Sequence, residues 1–162
     1  SSSNEQQHHT DLLFDKSYQF TGKHYENKLI DSTYSVPAGD YKIVKINIDT
    51  KDTSNYRIYG TMEETTGNDI HFTAVGYMSG ISVEHTNSEN YVESYSFNIN
   101  PISEDTIEFY LDNRKSWFTN KLPRLTVYEE YDKYEKYKEI PISIVPKGED
   151  YAVRGTLTVN SG

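Results

Sequence analysis

Residue patterns that support nucleophilic or metal chemistry are incomplete in this sequence. Ser79 lies in Gly76-Tyr77-Met78-Ser79-Gly80, one position too late for the Gly-x-Ser-x-Gly turn of serine hydrolases, and the residues after it alternate as in a strand. The five histidines have neither His-x-His nor His-Glu-x-x-His spacing, and the absence of cysteine excludes thiolate chemistry. We therefore predict no catalytic residue, no cofactor and no metal site.

Carboxylates are abundant, because 25 of the residues are acidic. A glycosidase needs only two acids at a suitable separation in space. The paired acids fall at predicted loops or strand ends, where solvated carboxylates are usual: Glu63-Glu64, Glu104-Asp105 and Glu129-Glu130. A polar loop with Asp49, Asp52 and Asn55 lacks the glycine and the terminal glutamate of a calcium-binding hand. A carboxylate-based hydrolase of the cell envelope is thus a minor alternative.

Aromatic residues are the remaining candidates for recognition. Tyrosine presents a large rigid face with a polar tip at little entropic cost, so it is enriched at binding surfaces. Trp117-Phe118 follow Arg114 and Lys115, and tyrosine recurs every third residue in 128–137. The alternative is structural, because tyrosine also favours strands and Trp117-Phe118 could close one end of the core. The predicted binding residues are Trp117, Phe118, Tyr128, Tyr131, Tyr134 and Tyr137.

The elements that must position these residues show a period of two. Val44, Ile46 and Ile48 alternate with polar residues, and similar stripes recur about every ten to fifteen positions as far as residue 159. We count nine to eleven strands, including 140–144 and 151–159 on either side of the turn Pro146-Lys147-Gly148. Since no strong helical pattern separates them, we predict an all-β antiparallel β-sandwich, with a calycin-like β-barrel as the alternative.

Three connections between these strands bear on the fold. Ser79-Gly80 predicts a tight hairpin. Val36-Pro37-Ala38-Gly39-Asp40-Tyr41 predicts a turn followed by a hairpin, and it resembles the Pro-Ala-Gly-x-Tyr corner of small secreted β modules. In 128–138 the i,i+4 pairs Glu129 with Lys133 and Asp132 with Lys136 would suit a helical turn. We favour a hairpin there, with a charged extended loop in its middle.

Composition limits the possible partners. The net charge is -9 and the lysines and arginines are dispersed, so nucleic acid and anionic membranes are poor partners. The 15 tyrosines and six phenylalanines argue against disorder despite a mean hydropathy of -0.79. The chain is long enough for one core, and no apolar run reaches the roughly 18 residues of a membrane span.

The first ten residues, Ser1-Ser2-Ser3-Asn4-Glu5-Gln6-Gln7-His8-His9-Thr10, have the polar, small-residue composition of a flexible linker. This stretch resembles the segment after the lipidated cysteine in lipoproteins of low-GC Gram-positive bacteria, and the Asn-, Lys-, Tyr- and Ile-rich usage of the chain is similar. The resemblance implies a lipid anchor upstream of Ser1. A frayed terminus or cloning remnant is the alternative. We predict a tether over residues 1–16 and one β domain over 17–160.

Together these observations predict a non-catalytic extracytoplasmic binding module at the cell surface, held to the membrane only through the N-terminal lipid anchor. It would recognise a protein partner or a cell-envelope component and no nucleic acid. A lipocalin-like carrier of a small apolar ligand is the alternative, and it requires an apolar cavity.

Overall fold

The computed structural model describes residues 8–134, 137–145 and 150–160. The chain divides into two compact units: Phe20–Lys136, which we call the sandwich unit, and the terminal unit, made of Ser1–Gln19 with Tyr137–Gly162. The described residues of the terminal unit contain no strand or helix. Residues 1–7 of the predicted tether and the predicted turn at 146–148 lie outside the described residues.

Two four-stranded antiparallel sheets make up the sandwich unit. The strands in chain order are β1 (Lys23–Thr33), β2 (Tyr41–Asn47), β3 (Thr53–Glu64), β4 (His71–Met78), β5 (Ile81–Asn87), β6 (Ser94–Ile99), β7 (Thr106–Asp112) and β8 (Pro123–Lys133). The first sheet has the order β1-β8-β3-β6 and the second β2-β7-β4-β5. The predicted antiparallel sandwich is confirmed, and the barrel alternative is wrong because the two sheets stay separate.

Alternating side chains from both sheets form the core. Ile107, Phe109 and Leu111 of β7 are fully buried, as are Leu125 and Val127 of β8. Phe72 stacks on Phe97 and Phe109, with ring centroids 5.3 and 6.1 Å away, so aromatic rings fill the space between the sheets.

The predicted turns are present, but one connects differently from the prediction. Ser79 and Gly80 both have positive φ, 52° and 80°, and join β4 to β5 as the predicted tight hairpin. At the Pro-Ala-Gly-Asp turn, Asp40 N donates to Pro37 O at 3.2 Å. The hairpin predicted to follow is wrong, because β1 pairs with β8 and β2 with β7, so this turn crosses between sheets.

The last third of the chain departs from the prediction. The favoured hairpin over 128–138 is wrong, and so is the helical turn, since 128–133 continue β8 between β1 and β3. The strands expected at 140–144 and 151–159 are absent from the described residues, and their apolar side chains, such as Ile142 and Leu157, are exposed. Eight strands are therefore described instead of nine to eleven.

Within the described part of the chain, no helix has the length and apolar character that a membrane crossing requires.

Candidate functional site

One end of the sandwich unit carries a loop with two exposed aromatic side chains. This aromatic loop, residues 113–122, connects β7 to β8. At its start Asn113 is fully buried, and its Nδ2 donates to the carbonyls of Val36 at 3.3 Å, Pro37 at 3.1 Å and Thr119 at 2.8 Å. Because a buried amide ties both sides of the loop to the β1–β2 turn, the loop has a defined shape.

A second buried polar group holds the other end of the aromatic loop. The Glu64 carboxylate, 2% exposed, accepts hydrogen bonds from Leu122 N at 2.9 Å, Thr66 N at 3.0 Å and Asn68 N at 2.9 Å. Burial alone would raise the pKa of Glu64, but these donors and the Thr66 hydroxyl outweigh it and hold the pKa below its usual 4.5. The expectation of solvated acids is wrong for Glu64 and also for Glu104, which is buried.

The tip of the aromatic loop carries Trp117 and Phe118. Their side chains are 84% and 93% exposed, so the structural alternative, in which they close the end of the core, is wrong. Large apolar groups rarely stand this far out of a folded domain next to each other, and such patches mark interaction sites.

Charged groups beside the tip are held in place. Arg114 Nη2 lies 2.8 Å from Asp112 Oδ2, and the guanidinium lies 5.1 Å from the centre of the Tyr41 ring. Burial raises the pKa of Asp112, but Arg114 more than offsets this and leaves that pKa below its usual value. The backbone N–H of Lys115 donates to Tyr91 Oη at 2.8 Å.

A polar cleft of about 360 Å³ adjoins the aromatic loop, which contributes Lys115 to it. Its other walls include His71, Glu89, Tyr91 and Asp112. The exposed aromatic side chains thus lie on a loop that also borders a polar cleft. An apolar centre with a polar rim is common in protein interfaces.

The predicted tyrosines occupy different surroundings. Tyr131 is partly buried and stacks between Tyr25 and Tyr56, with centroids 5.2 and 5.4 Å away. Tyr128 is half-buried against Tyr59 on the other face of the first sheet. Tyr134 is half exposed, and Tyr137 is exposed but belongs to the terminal unit.

The structure therefore does not bring all of the predicted binding residues together. Tyr131 lies eight residues into β8, which places it roughly 25 Å along the strand from the aromatic loop at the usual rise per residue. Trp117 and Phe118 form one exposed surface, while Tyr128 and Tyr131 serve chiefly to pack the first sheet.

Two clusters of histidine and acid were not found from the sequence. On β1 and β8, His24 Nε2 lies 3.6 Å from carboxylate oxygens of both Glu26 and Glu130. Near β4 and β5, His85 Nε2 lies 2.8 Å from Glu104 Oε1, in the space that the absent side chain of Gly76 leaves open. The first cluster had a sequence signal, namely His-x-Glu and Glu-x-Asp at strand spacing, but its register could not be foreseen.

Asp49 and Asn55, two of the polar residues in the loop considered for calcium, bind different partners. Asp49 Oδ1 accepts from Lys51 N at 2.9 Å and so caps its own turn. Asn55 Nδ2 instead donates to Asp132 Oδ2 at 3.0 Å, on β8.

Comparisons with known proteins give distant likenesses in structure alone. No protein-family model and no curated protein matches the chain. A chain of the Bacillus endospore appendages, described as a novel family of disulfide-linked pili, is 15% identical with a TM-score of 0.40, over 76% of this chain and 99% of that one. The Yersinia pseudotuberculosis-derived mitogen is 13% identical with a TM-score of 0.39, over 75% and 92%.

Proposed function

We propose that the protein is a non-catalytic, extracytoplasmic binding module that docks a protein partner on the tip of the aromatic loop. The observation that carries this proposal is the pair Trp117 and Phe118, almost fully exposed on a loop whose two ends are fixed by Asn113 and Glu64. A preformed loop loses little conformational entropy on binding, so more of the contact energy becomes affinity.

Burial of the two aromatic side chains would supply a large part of the free energy needed for association. Trp and Phe side chains bury roughly 150–250 Å² each, worth roughly 8–12 kcal/mol for the pair before the costs of association. Association itself costs about 4–15 kcal/mol. The two aromatics would therefore offset much of that cost, and the polar contacts around them would set orientation and specificity.

Arg114 and the adjoining polar cleft suit the rim of such an interface. Arg114 is already held by Asp112, so its remaining donors are oriented towards solvent at low entropic cost. Acidic residues on the partner would complement it.

An apolar-ligand carrier receives less support. The space between the sheets holds the stacked rings of Phe72, Phe97 and Phe109. A cleft of about 550 Å³ at the opposite end of the sandwich unit has Asn55, Arg57 and Asn100 among its lining residues. An apolar ligand there would separate these polar groups from water without offering them new hydrogen bonds.

The extracytoplasmic location is part of the proposal and rests on the polar N-terminal segment and its resemblance to lipoprotein tethers. If a lipid anchor precedes Ser1, the native protein will partition into the detergent phase of Triton X-114. Treatment with a protease that cleaves within residues 1–16 will then move the released domain to the aqueous phase. Aqueous partitioning of the untreated native protein would contradict the anchor.

Site-specific photo-crosslinking tests the proposed contact. A photoreactive phenylalanine analogue is placed at position 117 or, as a control, at position 102, and the protein is irradiated with the envelope fraction of the producing organism. Ile102 is a matched control because it is 86% exposed on the β6–β7 loop, at the opposite end of the sandwich unit. We expect one protein to crosslink from position 117 and not from position 102.

The identified partner then allows affinity to be measured. If each anchor contributes about 2 kcal/mol, the variant Trp117→Ser/Phe118→Ser should bind the partner roughly 1,000-fold more weakly, and Ile102→Ser should bind as wild type. Equal crosslinking from both positions, or an unchanged affinity of the folded double variant, would contradict the proposal. Crosslinking from position 117 to a polysaccharide alone would replace the protein partner by an envelope polymer.

A further inference from the structure

Strand register assembles one histidine and two carboxylates on the outer face of the first sheet. His24 is directly opposite Asp132 and Glu26 opposite Glu130, and residues two apart on a strand share a face. His24 Nε2 lies 3.6 Å from Glu26 Oε1 and 3.6 Å from Glu130 Oε2, and the three potential ligand atoms all lie within 4.8 Å of one another.

His24 Nδ1 and Glu130 Oε1, the atoms that do not face the centre of the cluster, each have a hydrogen-bond partner of their own. Asp132 Oδ1 lies 2.7 Å from His24 Nδ1, and Asn55 holds the other Asp132 oxygen. With Asp132 accepting the Nδ1 proton, Nε2 of His24 faces the two glutamates, and a divalent cation can take the place of the proton that Nε2 carries in the charged imidazole. Arg57 Nε donates to Glu130 Oε1, which leaves Oε2 directed to His24. A carboxylate behind a histidine is the usual support of a metal-ligating imidazole.

The charges of this cluster favour a cation. Glu26 and Glu130 are like charges directly across a strand pair, an arrangement that is destabilising by itself. With Asp132 there are three carboxylates around His24, and Arg57 balances one of them, so two negative charges remain once a cation has displaced the proton of His24 Nε2. A divalent cation would neutralise the remaining two charges.

The ligand set identifies the class of cation. Zn²⁺ binds imidazole nitrogen and carboxylate oxygen at about 2.0–2.2 Å, so tetrahedral ligands lie roughly 3.3 Å apart, close to the spacing around His24. Ca²⁺ and Mg²⁺ prefer oxygen ligands alone. We propose that His24, Glu26 and Glu130 form a Zn²⁺ site, oriented by Asp132, in which the metal joins the edge strand β1 to β8 and keeps a fourth position for water or a further ligand.

Calorimetric titration with Zn²⁺ tests this site. All variants carry His8→Gln and His9→Gln, which removes the two adjacent histidines of the N-terminal segment. We expect one Zn²⁺ per chain, at least tenfold weaker binding in His24→Gln, and 10- to 100-fold weaker binding in Asp132→Asn, where only the support of the imidazole is altered. His71→Gln is the matched control, because His71 also lies on a strand and bonds an amide, Asn87 Oδ1.

A second measurement separates metal binding from folding. Long-range nitrogen NMR should show the Nε2 signal of His24 shifting on addition of Zn²⁺ and staying in place on addition of Mg²⁺, with circular dichroism confirming that each variant is folded. Zn²⁺ should also raise the melting temperature of the parent and leave that of Glu26→Gln unchanged. Zn²⁺ affinity that is the same in parent and His24→Gln, or that falls equally in His71→Gln, would overturn the proposal.

Discussion

Glu64 illustrates how a single buried side chain can fix a loop at the surface. Its carboxylate lies at the end of β3 and accepts hydrogen bonds from the backbone on both sides, from Thr66 and Asn68 within its own turn and from Leu122 at the end of the aromatic loop. Charged acceptors form stronger hydrogen bonds than neutral ones, so much of the loop's order depends on the ionised form.

Glu64→Gln should therefore destabilise the sandwich unit by about 2 kcal/mol at pH 7, because the amide group presents hydrogens to some of the same donors. Because the pKa of Glu64 is lowered in the folded state, the stabilisation by its carboxylate depends on pH. The stabilisation is fully present above the unfolded-state pKa of about 4.5 and disappears as the pH falls through the lower folded-state pKa. Urea unfolding of wild type and variant between pH 7 and pH 3 measures this difference.

The two stabilities should converge as the pH falls below 4.5. Glu63→Gln is the control, since the neighbouring Glu63 is exposed and should change stability by less than about 0.5 kcal/mol. A difference between wild type and Glu64→Gln that stayed constant down to pH 3 would contradict the role assigned to the carboxylate.

At this scale the sequence was informative about residue type but not about surroundings. Trp117-Phe118 could be selected as candidates from their chemistry, yet their exposure depends on Asn113, whose hydrogen-bond partners at 36–37 are more than 75 positions away. Glu63 and Glu64 look alike in the sequence, and only the strand alternation turns one outwards and the other inwards.

At the scale of elements, the pairing of β3 with β8 joins the middle of the first sheet. Gly60 is opposite Val127 on β8 and Phe97 on β6. A Cβ atom at Gly60 would overlap the backbone carbonyl of Thr126, which cannot move without disturbing the strand pair. Glycine is thus required here by the close approach of another backbone.

Gly60→Ala should lower the free energy of unfolding by about 3 kcal/mol, because relief of the overlap must shift β8 and its hydrogen bonds. Chemical denaturation measures the loss. The neighbouring Thr61→Ala is the control, since Thr61 is exposed and its replacement should cost less than about 1 kcal/mol. If both variants lost the same small free energy of unfolding, the close backbone contact at Gly60 would not be important for stability.

Period-two patterns predicted individual strands well where the strand faces the core, as in Ile107, Phe109 and Leu111. They failed in the last third of the chain, where Ile140, Ile142 and Ile144 alternate equally well but lie outside any described strand. Alternation reports that a segment could cover an apolar surface, whereas a strand also needs a partner for its backbone, and that partner is set by distant residues. The same limit explains why 128–133 continue β8.

At the scale of the whole molecule, every strand and every buried apolar residue that the structure describes lies within the sandwich unit. We therefore expect a fragment of residues 20–136 to fold on its own, with a cooperative thermal transition and dispersed amide signals in a proton–nitrogen correlation spectrum. A fragment of residues 20–122 is the control, because it lacks β8.

The shorter fragment should be unfolded, since it loses Leu125 and Val127 from the core and leaves β1 without a partner strand. Failure of residues 20–136 to fold, or cooperative folding of residues 20–122, would show that this division of the molecule is wrong.

The strand order also determines when the molecule can fold during its synthesis. Among the described strands, β4 and β5 form the one pair of sheet neighbours that follow each other along the chain. The first sheet needs its last-made strand, β8, before β1 and β3 can be joined. A ribosome must therefore release residues up to 133 before this sheet can close, and the dominance of distant pairings places folding in the slow, millisecond-to-second range. Until then β1 and β3 have no strand to join them, and the apolar residues of the first sheet stay accessible to chaperones.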